Sequence, residues 1–243
     1  MAGHSKWKNI KKRKEAVDAK RGKIFTKLGR EIAVAVKAGG PNPETNTSLA
    51  DAIARAKANN MPNDSIQRSI SKADKSEESG NFEDIIYEGY GPGGVAVMVR
   101  TLTDNRNRTA GDIRHIFDKY GGNLGTSGCV AFQFERKGSL ILDREIYPEE
   151  DQVFIDALEL GAEDIEATEE MYEIITAPEE YHKVRDGLTE KNYEFSDVSL
   201  APQPINWIDL NEEEQILQME KLIEAMEDHD DVQDVYHNWN QDS

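Results

Sequence analysis

The sequence predicts an α+β protein: an N-terminal helical domain followed by two α/β (ferredoxin-like) domains, one inserted in the other. Three observations support this prediction. Apolar residues recur at helical spacing up to about residue 75, and strand-like patterns begin after the polar linker 74–81. Further along, the elements between 137 and 204 follow the order β-α-β-β-α-β. The expected domains are residues 1–75, residues 82–136 together with 205–243, and the inserted residues 137–204.

The helical domain is predicted to contain four helices. In residues 20–38, apolar side chains such as Leu28 and Ile32 lie opposite a row of cations, and a Gly-Gly pair followed by prolines ends the helix. A helix over 46–59 has Asn46 or Thr47 as its cap, and another begins near Pro62. The first stretch, 5–19, has few apolar residues, so we expect it to become helical only when a polyanion neutralises it.

The α/β part is predicted from alternating runs and turn signals. The run "EDIIYEGY" is joined to "VAVMVRTL" by "GPGG", which indicates a hairpin. The remaining predicted elements are a helix at 105–121, strands at 129–136 and 139–145, a helix at 149–160, strands at 163–168 and 171–177, a helix at 178–190, a strand at 194–201, a helix at 211–228 and a strand at 232–239. The last helix and strand have no local partners, so they are expected to return to the domain that begins at residue 82.

Charge is distributed very unevenly along the chain. Its 243 residues have a formal net charge of −18, yet the first 75 contain 17 Lys/Arg and only 7 Asp/Glu. This asymmetry is typical of a cationic module attached to an acidic body, and it predicts a polyanion as partner. The alternative is a basic arm folded onto acidic surface of the same chain or of a second copy. The candidate nucleic-acid contacts in this region are Lys6, Trp7, Lys8, Lys11, Lys12, Arg13, Lys14, Lys20, Arg21, Lys23, Lys27 and Arg30.

A second candidate contact lies in "TDNRNRT", residues 103–109. Arg106 and Arg108 fall in the first turn of the predicted helix, where the helix dipole disfavours cations. Two arginines beside exposed N–H groups could bind an anion such as a phosphate. Salt bridges to the acidic body are the alternative, and the sequence leaves both open.

The sequence gives little support for a membrane span, a metal site or a nucleotide-binding loop. No apolar run reaches the ~18–20 residues of a membrane span. The single cysteine, Cys129, is expected to be a small buried residue in a strand, and it fits a reducing cytoplasm. No histidine pair has metal-ligand spacing, and the acidic run 228–231 is interpreted as a solvated helix end. The glycine-rich runs 90–97 and 121–128 are interpreted as turns. We therefore expect no cofactor and no metal.

Several motifs together resemble one known family. "MAGHSKWKNIK", "AKRGKIFTKLGREI", "NMPNDSIQRSI", "YEGYGPGGVAV" and "TDNRNRT" are similar to the YebC/PmpR family of bacterial proteins, to which a mitochondrial translational activator of a cytochrome oxidase subunit also belongs. The resemblance implies three domains and no enzymatic activity. It also implies either DNA-binding transcriptional regulation or an action on the ribosome during difficult elongation, such as proline runs.

The sequence thus predicts a cytoplasmic, non-enzymatic nucleic-acid-binding regulator of gene expression, with DNA as the first target. The alternative is a translation factor bound to the ribosome or its rRNA, since a lysine-rich arm suits RNA recognised by shape and phosphate. The oligomeric state is left open.

Overall fold

The structure, a computed structural model, describes residues 18–75 and 82–241, with side chains from residue 21 onward. The prediction for a helix at 5–19 lies mostly outside this range. The elements, in chain order, are α1 (Asp18–Gly39), α2 (Thr47–Ala58), α3 (Asn63–Lys75), β1 (Glu83–Tyr90), β2 (Ala96–Thr103), α4 (Arg106–Lys119), β3 (Asn123–Leu124), β4 (Phe134–Asp143), α5 (Glu150–Leu160), β5 (Asp164–Ala167), β6 (Met171–Thr176), α6 (Tyr181–Glu190), β7 (Asp197–Pro204), β8 (Ile208–Asp209), α7 (Glu213–Asp228), β9 (Val232–His237) and β10 (Trp239–Asn240). The predicted α+β class is confirmed.

The chain forms two compact units. Unit 1 contains residues 18–75 and 136–202, and unit 2 contains residues 82–135 and 203–241. The division into three domains with the boundaries given above remains a proposal.

Unit 1 begins with three packed helices. Their core is formed by the buried side chains Leu28, Ile32, Val36, Leu49, Ala56, Ile66 and Ile70. Asn46 fixes the start of α2, because its side-chain oxygen accepts a hydrogen bond from the Leu49 amide at 3.1 Å. Its side-chain amide also donates to the carbonyl of Ala35 at 2.7 Å, which ties α2 to the end of α1. The predicted Asn46 cap is confirmed.

The rest of unit 1 is a ferredoxin-like sandwich. Its four-stranded sheet has the order β5-β6-β4-β7, in which β4 and β5 each pair antiparallel with β6. Helices α5 and α6 contribute Val153, Ala157, Val184 and Leu188 to the core over this sheet. Ala54 and Ala58 of α2 also pack against that core. The helical part and the sandwich therefore share an apolar contact.

Unit 2 is built on a second sheet, with strand order β3-β1-β2-β9. β1 and β2 form the predicted hairpin, and Gly93 in its turn has a φ of 66°, a value that glycine adopts readily. β9 pairs antiparallel with β2, with Val97 opposite His237. The sheet thus contains chain from both sides of residues 136–202. Helices α4 and α7 supply Ile113, Phe117, Met219 and Leu222 to its core.

The predicted strand at 129–136 is wrong over residues 129–133. Residues 131–133 form a 3₁₀ turn, and β4 begins at Phe134 and continues through the predicted strand at 139–145. The cause is Glu88, whose buried carboxylate accepts hydrogen bonds from the amides of Gly128, Val130 and Ala131 at 2.7, 3.0 and 2.9 Å. Because a side chain occupies these N–H groups, they cannot pair with a neighbouring strand. Cys129 is therefore partly exposed in a loop and not buried in a strand.

Candidate nucleic-acid interface

The structure shows α1 to be amphipathic. Leu28, Ile32 and Val36 are buried in the three-helix core. Of the predicted contacts on this helix, Arg21 and Lys23 are exposed, and Lys27 and Arg30 are half-buried. The predicted contacts Lys6, Trp7, Lys8, Lys11, Lys12, Arg13 and Lys14 lie outside the described residues, as does the side chain of Lys20. Lys23, Lys27 and Arg30 thus lie away from the apolar side of α1, whereas Arg21 lies two turns before Leu28 on the same side as the core.

The crossing of α1 and α3 is close at one glycine. A β-carbon at Gly29 would lie 3.3 Å from the side-chain oxygen of Ser69, so the two helices approach each other with almost no side chain between them. Both residues lie at the edge of the apolar side of their helix, next to Leu28 and Ile70 respectively. The outer sides of the two helices therefore meet on one surface.

That surface is cationic on both helices. At ~100° per residue, Lys23 and Arg30 follow Gly29 around α1 on the side away from the core. On α3, Arg68 and Lys72 lie beside Ser69 on the side of the helix away from the core, and both are exposed. We call this surface the cationic face and define it as Lys23, Lys27, Arg30, Arg68, Lys72 and Lys75.

The cationic face includes residues that sequence reasoning missed. Arg68, Lys72 and Lys75 were not among the predicted contacts. Arg68 and Lys72 are four residues apart on the polar side of an amphipathic helix, which is a signal the sequence contains. Their proximity to α1 depends on the crossing at Gly29, which the sequence alone does not reveal.

Two acidic side chains of the helical part have partners inside unit 1. Glu31 is buried and binds Arg55 of α2 at 2.9 Å. Asp51 of α2 binds Arg185 of α6 at 2.6 Å, and the His182 ring lies 3.4 Å from it. Arg55 and Arg185, the cations that these two carboxylates bind, are not part of the cationic face.

At the second predicted contact, the start of α4, Arg106 and Arg108 have different surroundings. Asp231 lies directly before β9, and its carboxylate accepts hydrogen bonds from Thr103 at 3.1 Å, Thr109 at 2.8 Å and Arg108 at 3.0 Å. Arg108 also binds Asp104 at 2.9 Å. Both carboxylates that bind Arg108 belong to this chain, so this arginine makes the salt bridges of the second alternative.

The electrostatics of this cluster follow from the same contacts. Burial alone would raise the pKa of Asp231, but the hydrogen bonds from Thr109, Arg108 and Thr103 outweigh it and hold the pKa below its usual value. The hydrogen bonds to Asp231 and Asp104 raise the pKa of Arg108. The cluster therefore stays ionised near neutral pH.

Arg106 differs from Arg108. It is exposed, and within the part of the chain that the structure describes, its guanidinium has no hydrogen-bond or ion-pair partner. Its carbonyl accepts a hydrogen bond of 3.3 Å from the Tyr87 hydroxyl, and Asn105 caps the helix by accepting from the Arg108 amide at 3.1 Å. Of the two predicted arginines, only Arg106 has the geometry of an open anion contact.

The structure describes residues 18–75 and 82–241. Among these residues no group of three or more His, Cys, Asp or Glu side chains is arranged to hold a metal ion. In the same ranges, no helix has the length and apolar character needed to cross a bilayer.

The fold and surface define an α+β protein with a basic helical part joined to acidic α/β parts. Comparison with known proteins identifies the family of the chain. A family model described as the TACO1/YebC protein N-terminal domain matches residues 5–76, and one described as the TACO1/YebC second and third domain matches residues 82–239. The chain belongs to the TACO1/YebC family, which confirms the resemblance found in its motifs.

Similar proteins support this assignment over the full length. A probable transcriptional regulatory protein of Acetivibrio thermocellus is 56% identical over 239 residues, covering 98% of this chain and 99% of the relative. One from Caldicellulosiruptor bescii is 53% identical over 242 residues, covering 100% and 99%. The crystal structure of a conserved hypothetical protein from Aquifex aeolicus matches with a TM-score of 0.83 and 47% identity, covering 92% of this chain and 91% of that chain.

Proposed function

We propose that this protein is a non-enzymatic nucleic-acid-binding regulator of gene expression, that its target is DNA, and that it acts in the cytoplasm. The observation that carries the proposal is the close α1–α3 crossing, which joins the cations of two helices into one face. Lys and Arg side chains on such a face bind phosphates and position a protein on a duplex. The names of the two bacterial relatives support a role in transcription.

The outer side of α3 also supports DNA as the target. Gln67 and Ser71 are exposed there, four residues apart, next to Arg68 and Lys72. A glutamine side chain can pair with adenine in the major groove, and a serine hydroxyl can contact several bases. Phosphate-binding and base-contacting side chains therefore alternate along one helix.

A second candidate is a translation factor bound to the ribosome or its rRNA. The observation that favours it is the charge of the rest of the chain, since residues 76–243 contain 12 Lys/Arg and 40 Asp/Glu. A surface of this sign repels a long duplex but attracts basic proteins that coat an RNA. The cationic face would then bind rRNA phosphates.

Two measurements on the full chain separate the candidates. Fluorescence anisotropy compares promoter fragments with scrambled duplexes of equal length, and sedimentation in low salt measures association with ribosomes. For the DNA candidate we expect promoter binding that is tighter than scrambled binding, and a Gln67→Ala variant that loses that preference. Ribosome association without any promoter preference would contradict the DNA candidate and support the translation factor.

A matched pair of variants tests the second predicted contact, at the start of α4. Arg106→Gln and Arg108→Gln remove the same charge from the same turn. We expect Arg106→Gln to weaken nucleic-acid binding with little change in stability, because its guanidinium has no partner among the described residues. Arg108→Gln should instead lower stability, since Arg108 binds Asp231 and Asp104.

A further inference from the structure

Helix α5 has an apolar pair on its outer side. Val153 and Ala157 point into the core of the sandwich and are almost fully buried. Ile155 and Leu158, in contrast, are 52% and 53% exposed. Residues three apart on a helix are neighbours on its surface, so these two side chains form one apolar strip, which we call the α5 strip.

Acidic side chains lie at both ends of the α5 strip. Asp151 is one turn before Ile155 and is exposed. Glu159 is one turn after Ile155 and is 68% exposed, although the Lys191 ammonium lies 3.6 Å from it. The surrounding residues 136–202 contain 6 Lys/Arg and 19 Asp/Glu. The strip is thus an apolar surface inside a strongly negative region.

The charge of this region limits what can cover the strip. Nucleic acid and anionic membranes have the same sign as the region, so both are repelled. A second copy of this chain that met it strip to strip would bring the same acidic region to the contact. A basic protein segment is attracted, and its apolar side chains can remove Ile155 and Leu158 from water.

We propose that the α5 strip is a docking site for a cationic amphipathic helix of another protein. In this mode, apolar residues three and four apart on the partner helix pack on Ile155 and Leu158, and lysines or arginines beside them face Asp151 and Glu159. The site is separate from the cationic face. The protein can therefore hold a nucleic acid and a basic protein at the same time.

The probe for this site is a synthetic Lys/Leu peptide with leucines at helical i, i+3, i+4 spacing, compared with a scrambled peptide of the same composition. Binding to the full chain is measured by titration calorimetry without nucleic acid, so the outcome is independent of the proposed function. We expect the patterned peptide to bind at least about tenfold more tightly than the scrambled one, since only its leucines can pack on the strip together.

Variants locate the binding on α5. The pair Ile155→Ala and Leu158→Ala removes the apolar area, keeps the charge and favours the helix, so the fold is retained. This double variant should lose about tenfold in affinity for the patterned peptide. Ile205→Ala serves as the matched control, because Ile205 is 55% exposed in unit 2, and it should bind like the unchanged chain.

Three results would overturn the proposal. Equal binding of patterned and scrambled peptides would show attraction by net charge alone. Self-association in sedimentation velocity that the Ile155/Leu158 variant abolishes would make a second copy the occupant. Stronger peptide binding after Lys11, Lys12, Arg13 and Lys14 are all changed to Gln would make the chain's own N-terminal segment the occupant.

Discussion

Neutralising the α3 half of the cationic face is the sharpest test of how this protein binds nucleic acid. Arg68 and Lys72 are exposed, and no hydrogen bond or ion pair to another described residue holds them. Changing both to Gln removes two positive charges and little packing. We therefore expect the stability to change by no more than ~0.5 kcal/mol, as for other surface substitutions.

The effect on DNA binding can be calculated from counterion release. Each phosphate contact contributes about 0.9 to the slope of log K against log salt, so losing two contacts lowers the slope by about 1.8. Extrapolated from 1 M salt, one contact is worth about fivefold in affinity near 0.15 M, and two are worth about thirtyfold. At higher salt the difference between variant and unchanged chain should shrink.

The assay is fluorescence anisotropy with a labelled duplex at several KCl concentrations between about 50 and 200 mM. The control variant changes Lys183 and Lys221 to Gln. Both are exposed and lie on α6 and α7, so the net charge changes equally but the cationic face is untouched. An unchanged slope for the Arg68/Lys72 variant, or an equal loss for the control, would refute direct phosphate contact by α3.

Four further predictions concern single positions. Asp231→Ala should lower the free energy of unfolding by about 3 kcal/mol in urea titrations, because three donors lose one charged acceptor. Glu88→Gln should lower it by about 2 kcal/mol, since an amide has one acceptor oxygen for three backbone N–H groups. Burial lowers the pKa of His237 to about 4, so stability should be full above its unfolded pKa of ~6.5 and fall as pH drops toward 4, a slope that His237→Gln removes. Gly29→Leu should separate α1 from α3 and weaken DNA binding, whereas Gly22→Leu, which meets open space on the same helix, should not.

Each of these predictions has a result that contradicts it. An Asp231→Ala chain as stable as the unchanged one would mean that the cluster adds nothing to folding. A Glu88→Gln chain of unchanged stability would mean that the hydrogen bonds from the 128–131 loop to Glu88 add nothing to folding. A His237→Gln chain with an unaltered acid slope would assign that slope to other groups, such as the carboxylates. Equal DNA affinity of the Gly29 and Gly22 variants would remove the helix crossing from the proposed interface.

Local signals in the sequence predicted the helices well. The end of α1 at Gly39 follows from the Gly-Gly pair and the prolines behind it, and the cap of α2 follows from the side chain of Asn46. Both signals act over a few residues, so a single sequence contains them. The hairpin of β1 and β2 was predictable for the same reason.

Features that depend on distant residues were not predictable. The predicted strand that begins at Cys129 does not form, because the backbone amides of that loop donate hydrogen bonds to the carboxylate of Glu88, forty residues earlier. The ion pair of Arg108 with Asp231 joins residues that are 123 positions apart in the sequence. The α3 half of the cationic face depends on the close approach of Gly29 to Ser69. The spacing of apolar residues within each helix does not predict this contact between the helices.

The entry of the chain into unit 2 from both sides of residues 136–202 has a consequence for how the chain assembles. The amide of Ile205 donates to the carbonyl of Gln133 at 2.9 Å, so the chain leaves unit 2 and re-enters it at adjacent points. Once residues 136–202 have folded, they hold their own ends together, and the β9 segment no longer searches for β2 from the end of a long free loop. Residues 136–202 are synthesised before β9. They can therefore fold before β9 pairs with β2 of the β1–β2 hairpin.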